Sequence, residues 1–293
     1  MSLCEIELPL PVGFRQSDLL SFHRRDAQGL AECVESDGLA KGILWEGLAA
    51  RLSLGFVGEH VRVRLQVDAG GRIDAQAVRT LAARMLGLTQ PVQAFEAAYA
   101  AHPQLGRVLA ANRGLRVPQA ASPFEALTWA ISGQQISLPV AITLRRRLIQ
   151  LAGRQHSSGL FCYPDAPAVA VLDAHALGQA GFSRAKTQTL LLLAREVAEG
   201  RLPLDAWLED EPAEAIRERL LALRGIGPWT VDYALLRGFA RLDGSLEGDA
   251  AVRRQLQRLL GAPEKLSQSF VRDWLLPFSP WRALVAAHLW AMS

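Results

Sequence analysis

Little in this sequence of 293 residues supports covalent cross-linking, metal chemistry or insertion into a bilayer. Its three cysteines, Cys4, Cys33 and Cys162, are too scattered for a disulfide framework or for a zinc or iron–sulfur ligand set. The six histidines also stand far apart, with no pair at i, i+4, so no metal held by side chains is expected. No stretch reaches the roughly 18 unbroken apolar residues of a membrane span, which excludes a membrane partner of that kind. The run Met1-Ser2-Leu3-Cys4-Glu5-Ile6-Glu7 carries acids where a secretory or transit signal carries bases, and this points to a cytoplasmic protein. Internal repeats, low-complexity tracts and long linkers are missing as well.

What is present is ordinary globular material, 50% hydrophobic and 21% charged, in a chain long enough for two or three domains. A formal charge of +3 permits nucleic-acid binding without requiring it. Up to about residue 86 the chain alternates like β-sheet, with apolar side chains at every second position over residues 39–45, 50–56 and 60–67. Residues 74–86 switch to helical spacing, placing Val78, Leu81, Ala82 and Met85 on one face, and helices dominate beyond them. Ser122-Pro123-Phe124-Glu125 combines a capping serine, a proline at the first helical position and a glutamate three residues on, so a helix starts there and ends near Gly133. Further helices are predicted from Pro139 to Gly153, over residues 184–199, over residues 212–223 and from Pro228. The fold class is α+β, mostly α.

Between the last two helices lies Leu223-Arg224-Gly225-Ile226-Gly227-Pro228-Trp229, a connection of a few residues with glycines where the chain must turn sharply. It reads as a helix-hairpin-helix, in which glycines let the backbone approach closely and N–H groups at the second helix start face a phosphate. A tight αα-corner with a glycine cap would look the same. A dinucleotide fold fits poorly, because Thr230 replaces the third glycine and a helix precedes the run. Arg224, Gly225, Ile226, Gly227 and Thr230 are therefore the candidates for gripping a DNA backbone.

Asp249 lies twenty residues past Trp229, after the turn-rich Asp243-Gly244-Ser245-Leu246-Glu247-Gly248 and before a helical run over residues 250–260. It should cap that helix, a common place for aspartate. A carboxylate at this distance from a hairpin that grips the backbone would also stand beside a nucleotide turned out of the duplex. Breaking an N-glycosidic bond builds positive charge on the sugar, which one carboxylate in a water-poor site can stabilise while it orients or deprotonates water.

With these residues the sequence resembles the helix-hairpin-helix DNA glycosylases, and among them the bacterial alkylpurine enzymes. Support comes from Gly133-Gln134-Gln135-Ile136-Ser137, from Gly181-Phe182-Ser183-Arg184-Ala185-Lys186, and from Pro280-Trp281-Arg282 through His288-Leu289-Trp290. The resemblance implies an antiparallel-sheet domain with flanking helices over residues 1–88. It also implies a helical domain over residues 89–116 and 231–293 carrying Asp249, and a second over 117–230 carrying the hairpin. It implies excision of alkylated purines of the 3-methyladenine and 7-methylguanine type from damaged double-stranded DNA, by a monomer in the bacterial cytosol. Members that also nick the strand place a lysine where this chain has Trp229, so a monofunctional enzyme using water and lacking lyase activity is expected.

Trp229, Tyr233, Trp290 and, by a looser match, Phe22 correspond to base-pocket positions, although large aromatics also fill cores. Gln134, Gln135 and Ile136 fall in the inter-helix break from which the family inserts a side chain into the gap left by the flipped base. Its usual leucine is here Gln135, leaving open which residue fills the stack. No cofactor is required, and a sodium or potassium ion could sit on the hairpin backbone. Arginines contribute the phosphate grip collectively, four of them (Arg145, Arg146, Arg147, Arg154) in a segment without acids. The competing readings are a non-catalytic protein of the same fold that binds damaged DNA, and a glycosylase for another lesion.

Overall fold

The computed structural model describes residues 1–68, 70 and 72–292. Strands β1 (Ser2–Pro9), β2 (Glu32–Val34), β3 (Gly38–Trp45), β4 (Leu48–Val57) and β5 (His60–Val67) form an antiparallel sheet in the order β1-β5-β4-β3-β2. The β3–β4 hairpin closes through Glu46 and Gly47, both at positive φ, and Trp45 pairs with Leu48 across it. Such a two-residue turn matches the twist of the strands and pins their register. Helix α1 (Gln16–His23) lies between β1 and β2, and α2 (Ala75–Met85) follows β5. Asp74 caps α2, whose Val78, Ala82 and Met85 bury in one core with Leu52, Leu54, Val63 and Leu65 of the sheet.

Twelve helices follow among the described residues. They are α3 (Val92–Tyr99), α4 (Leu105–Ala111), α5 (Pro123–Gly133), α6 (Leu138–Ala152), α7 (Ala166–Ala170) and α8 (Ala174–Gln179), then α9 (Arg184–Ala198), α10 (Ala213–Leu221), α11 (Pro228–Arg237), α12 (Ala250–Leu260), α13 (Gln268–Leu275) and α14 (Arg282–Trp290). The capping residues read from the sequence take up their positions: Ser122 accepts from Glu125 N–H at 3.1 Å, and Pro228 opens α11. Two further cores hold these helices. One gathers α5–α10 with half of α11, and the other gathers α3, α4 and α12–α14 with the remaining side of α11. On α11, Val231, Ala234 and Leu235 enter the first core while Tyr233 and Leu236 enter the second; α5 divides likewise, with Leu127 and Ile131 against Ala130. These two helices flank the cleft described below.

The sheet is fastened to the helices by a buried cluster of charges. Lys41 on β3 has no exposed surface, and its Nζ donates to Glu32 at 2.5 Å and to Glu125 at 2.8 Å. Arg145 on α6 donates to the same two carboxylates at 2.6 and 3.1 Å. Burial pushes Glu32 and Glu125 upward, but the Arg145 and Lys41 cations outweigh it and hold both carboxyls below their usual range. The phosphate-contact reading is thereby corrected for Arg145 and Arg146. Arg145 is committed to the interior, Arg146 pairs with Asp26 at 2.6 Å, and Arg147 and Arg154 donate to the carbonyls of Ala180 and Gly47. Arginines placed at consecutive helical positions face different directions, and two of these face inward.

Removing one partner strands its counter-charges, so Lys41→Met should lower unfolding stability by about 3–5 kcal/mol, measurable as a shift of the urea midpoint. Acid should act earlier, through histidine. Burial pulls His23, against the opposing pull of the neighbouring Glu32 carboxylate, and His288 from the ordinary value of 6.5 down to about 4. Between those values the unfolded chain binds protons that the folded chain does not. Stability is therefore complete above pH 6.5 and falls as pH drops towards 4, by roughly 1.4 kcal/mol per pH unit for each histidine. A urea series across that window should show the slope, and His288→Phe should remove about half of it.

Candidate active site and nucleic-acid interface

A cleft of about 1510 Å³ opens between the two helical cores. Eleven of the residues singled out in the sequence line it: Phe22, Gln134, Gln135, Ile136, Gly225, Gly227, Trp229, Thr230, Tyr233, Asp249 and Trp290. Arg224 is exposed away from it, and Ile226 is buried in the first core, where it anchors the hairpin by its side chain and leaves only its backbone to a ligand.

The hairpin is shaped by two different glycines. Gly225 has φ +92°, and a Cβ there would lie 1.9 Å from Thr189 Oγ1, so both conformation and space demand glycine. Gly227 is the N-cap of α11 and meets nothing within 4 Å at its missing Cβ. No side chain caps this helix, and Pro228 occupies its first position, so the amides of Trp229 and Thr230 have no side-chain acceptor. An open approach, a small residue and a helix start with its positive dipole end together make an anion-facing corner.

Gln134 does not project into the cleft as a free side chain. Its Nε2 donates to Gly225 O at 3.0 Å and to Thr230 Oγ1 at 2.9 Å, tying the α5–α6 loop to the hairpin. Thr230 is correspondingly buried, its hydroxyl serving this brace. Lys186 supports the same loop, donating to Ser132 O at 2.6 Å near the end of α5. Beyond the brace, Gln135 adopts φ +55° and is exposed, followed by the exposed Ile136 and Leu138 at the mouth of the cleft. An exposed wedge on a braced loop is suited to entering a base stack.

Asp249 is the N-cap of α12. Its Oδ1 accepts from the amides of Ala251 and Val252, each at 2.9 Å, and from Trp290 Nε1 at 3.1 Å; its Oδ2 accepts from Trp229 Nε1 at 3.0 Å. Capping and site geometry are thus one arrangement. Trp229 and Tyr233 share a face of α11 because they are four residues apart, and their ring centres are 5.6 Å apart, with Trp290 6.5 Å from Tyr233. Three aromatic rings converge on a half-buried carboxylate. Phe22 is half-buried under the guanidinium groups of Arg25 and Arg237, the latter also 5.5 Å from the Trp290 ring.

Trp129, Arg25 and Arg237 also line the cleft, and no local pattern in the sequence points to them. Trp129 sits within an apolar helix where it reads as core, and Arg237 at the end of α11 reads as an ordinary basic helix terminus. Among the described residues no group of three or more His, Cys, Asp and Glu side chains could hold a metal ion, and no helix is long and apolar enough to cross a membrane.

No family model matches the chain. It is 32% identical over 188 residues to DNA-3-methyladenine glycosylase 2 of Escherichia coli, covering 64% of this chain and 63% of that protein. It is 29% identical over 239 residues to a probable bifunctional transcriptional activator/DNA repair enzyme of Mycobacterium tuberculosis, covering 79% of this chain and 45% of the other. The chain thus matches less than two thirds of the length of these relatives. The solved 3-methyladenine DNA-glycosylase from Archaeoglobus fulgidus superposes with a TM-score of 0.83 at 22% identity over 97% of both chains. An 8-oxoguanine glycosylase/lyase of Clostridium acetobutylicum in complex with double-stranded DNA gives 0.73 at 16% identity, over 95% of this chain and 91% of that one.

The two hairpin glycines should respond differently to a methyl group. Gly225→Ala should cost about 1–3 kcal/mol, because alanine can satisfy neither the left-handed φ nor the contact with Thr189. Gly227→Ala, facing open space, should cost no more than about 1 kcal/mol of capping. Paired urea titrations test the contrast.

Proposed function

We propose that this chain, which has the fold of the helix-hairpin-helix DNA glycosylases and is related in sequence to their 3-methyladenine branch, excises alkylated purines from duplex DNA. The damaged nucleotide turns into the aromatic cleft and its N-glycosidic bond is hydrolysed there. The observation that carries the reading is Asp249, a carboxylate held by two backbone amides and two indole N–H groups among the rings that would receive the base.

Each part of the cleft has a task in that reaction. The uncapped start of α11, with Gly227 open beside it, takes a backbone phosphate and sets the duplex in register without reading sequence. The loop braced by Gln134 drives Gln135, Ile136 or Leu138 into the space the base vacates. The indole faces of Trp229 and Trp290 favour a positively charged alkylpurine over a neutral one of the same shape by roughly 0.5–2 kcal/mol.

As the C1′–N bond lengthens, its electron pair goes to the base and positive charge develops on the sugar. Oδ1 of Asp249 already has three donors, whereas Oδ2 has one, so Oδ2 faces that charge or the attacking water. Water adds to C1′ and its proton passes to Asp249 and on to solvent. No lysine lines the cleft, and the position of an attacking amine is filled by Trp229, so water is the nucleophile and the product is an intact strand with an abasic site. To a monovalent cation the hairpin presents only main-chain carbonyls, that of Gly225 engaged by Gln134 and that of Leu223 by Ile226 N–H. Such an ion would brace the turn against a phosphate and take no part in bond cleavage. One cleft in one chain suffices for this chemistry, consistent with action as a monomer.

Asp249→Asn should slow single-turnover release of 3-methyladenine or 7-methylguanine from methylated duplex DNA by about 100-fold or more. Strand breaks should appear only after alkali. Normal release by the variant would remove Asp249 from the mechanism, and breaks without alkali would replace water by an amine.

A further inference from the structure

Asp249 stands at the end of a connection that has no regular structure of its own: residues 238–249, between α11 and α12, form neither helix nor strand. Asp243 anchors the first part, accepting from Arg282 at 2.8 and 3.0 Å and from Ser279 Oγ at 2.9 Å. The part next to Asp249 rests on α11. There Asp232, three residues after Trp229, is only 3% exposed, and a Cβ on Gly244 would lie 3.0 Å from its Oδ1. Leu246 is fully buried at φ +49°, and its carbonyl accepts from the Asp249 amide at 2.9 Å. A leucine holds that left-handed conformation only where its surroundings impose it. Arg217 on α10 pairs with Asp232 Oδ1. Burial, with Glu247 adding to it, pushes the Asp232 carboxyl up, against the opposing pull of Arg217 and of the Leu246 amide.

Helix α11 therefore reaches Asp249 twice: through Trp229, whose indole holds a carboxylate oxygen, and through Asp232, against which the chain leading to Asp249 is folded. The same helix starts at Gly227, the corner that faces a backbone phosphate in the reading above. We propose that Asp232 is a positioning residue, which through the 244–246 turn sets the Asp249 carboxylate at a fixed distance from the gripped phosphate. The proposal rests on the glycosylase reading. Neither Asp232 nor that turn lines the cleft, so neither touches the base. Arg217 compensates the buried charge from the first helix of the hairpin, so both helices that shape the phosphate corner also bear on the turn. A carboxylate displaced by about 1 Å from the charge that builds on the sugar loses much of its effect. The phosphate corner and the aromatic walls, which govern binding, would meanwhile keep their places.

The test compares the wild-type chain with Asp232→Ala, Asp232→Asn and Gly244→Ala on duplex oligonucleotides carrying one 7-methylguanine, in single-turnover assays over a range of enzyme concentrations. Asp232→Ala should lower the maximal release rate by about 10–100-fold while half-saturation stays within about threefold of wild type. Asp232→Asn keeps an oxygen facing the turn and should recover part of that rate. Gly244→Ala pushes against Asp232 Oδ1 from the loop side; it should show the same split and carries the test should Asp232→Ala fail to fold. Indole N–H resonances give an independent reading, because two of the seven tryptophans donate to Asp249. Those of Trp229 and Trp290 should shift in Asp232→Ala while the others hold. A merely structural role would lower the active fraction, leave the maximal rate per active enzyme unchanged and leave both resonances in place. That result in the folded variants overturns the proposal, as does a rate loss matched by an equal rise in half-saturation. A wild type that releases no 7-methylguanine overturns the glycosylase reading itself, and the resonances then still decide whether Asp232 places Asp249.

Discussion

The start of helix α12 needs an acceptor for its first amides, and in this protein that need sets the carboxylate that lines the cleft. Asp249 satisfies Ala251 and Val252, which fixes its backbone and rotamer at once, and the indoles of Trp229 and Trp290 then close on the same two oxygens. Those two tryptophans come from different helices, α11 and α14, so the carboxylate is also a joint between elements far apart in sequence. An aspartate that merely capped a surface helix would turn its free lone pairs to water. Here they turn to the rings of a cleft, and a common local motif becomes a preorganised charge.

Charge is distributed over the molecule with a clear division of labour. The densest ionic cluster, Lys41 and Arg145 with Glu32 and Glu125, lies between sheet and helices and is balanced within itself. In the cleft, the Asp249 carboxylate meets the indoles of Trp229 and Trp290, and the guanidinium groups of Arg25 and Arg237 lie over the Phe22 ring.

Much of this was legible in the sequence, for physical reasons that also explain the omissions. The hairpin strands announce themselves because one face is buried and the apolar period is two. Helices α5, α6, α9, α11 and α12 announce themselves through caps, prolines and glycines that act within a few residues. β1 and β2 were not resolved individually: β1 turns Ser2 and Cys4 to its inner face, and β2 has only three residues. Partnerships between distant residues leave no local trace. Nothing around Arg145 says that Lys41, 104 positions earlier, shares its carboxylates, so an inward-facing arginine read as surface charge. Gln134 illustrates the same limit at the site, since its loop was identifiable and its bond to the hairpin was not.

Helices α5 and α11 each belong to both helical cores, with Leu127 and Ile131 set against Ala130, and Val231 and Leu235 against Leu236. They act as shared beams between the two halves of the helical region. Swinging those halves apart like a clamshell would tear apolar side chains out of one core or the other, so the cavity between them is a fixed mould. Its contents must adjust to it: discrimination falls to what can thread the mouth and match the lining, and little is left for a closing movement to proofread. Such a mould would admit molecules of related outline and grade them by charge, and its tolerance would be altered by changing the lining more readily than by loosening a hinge.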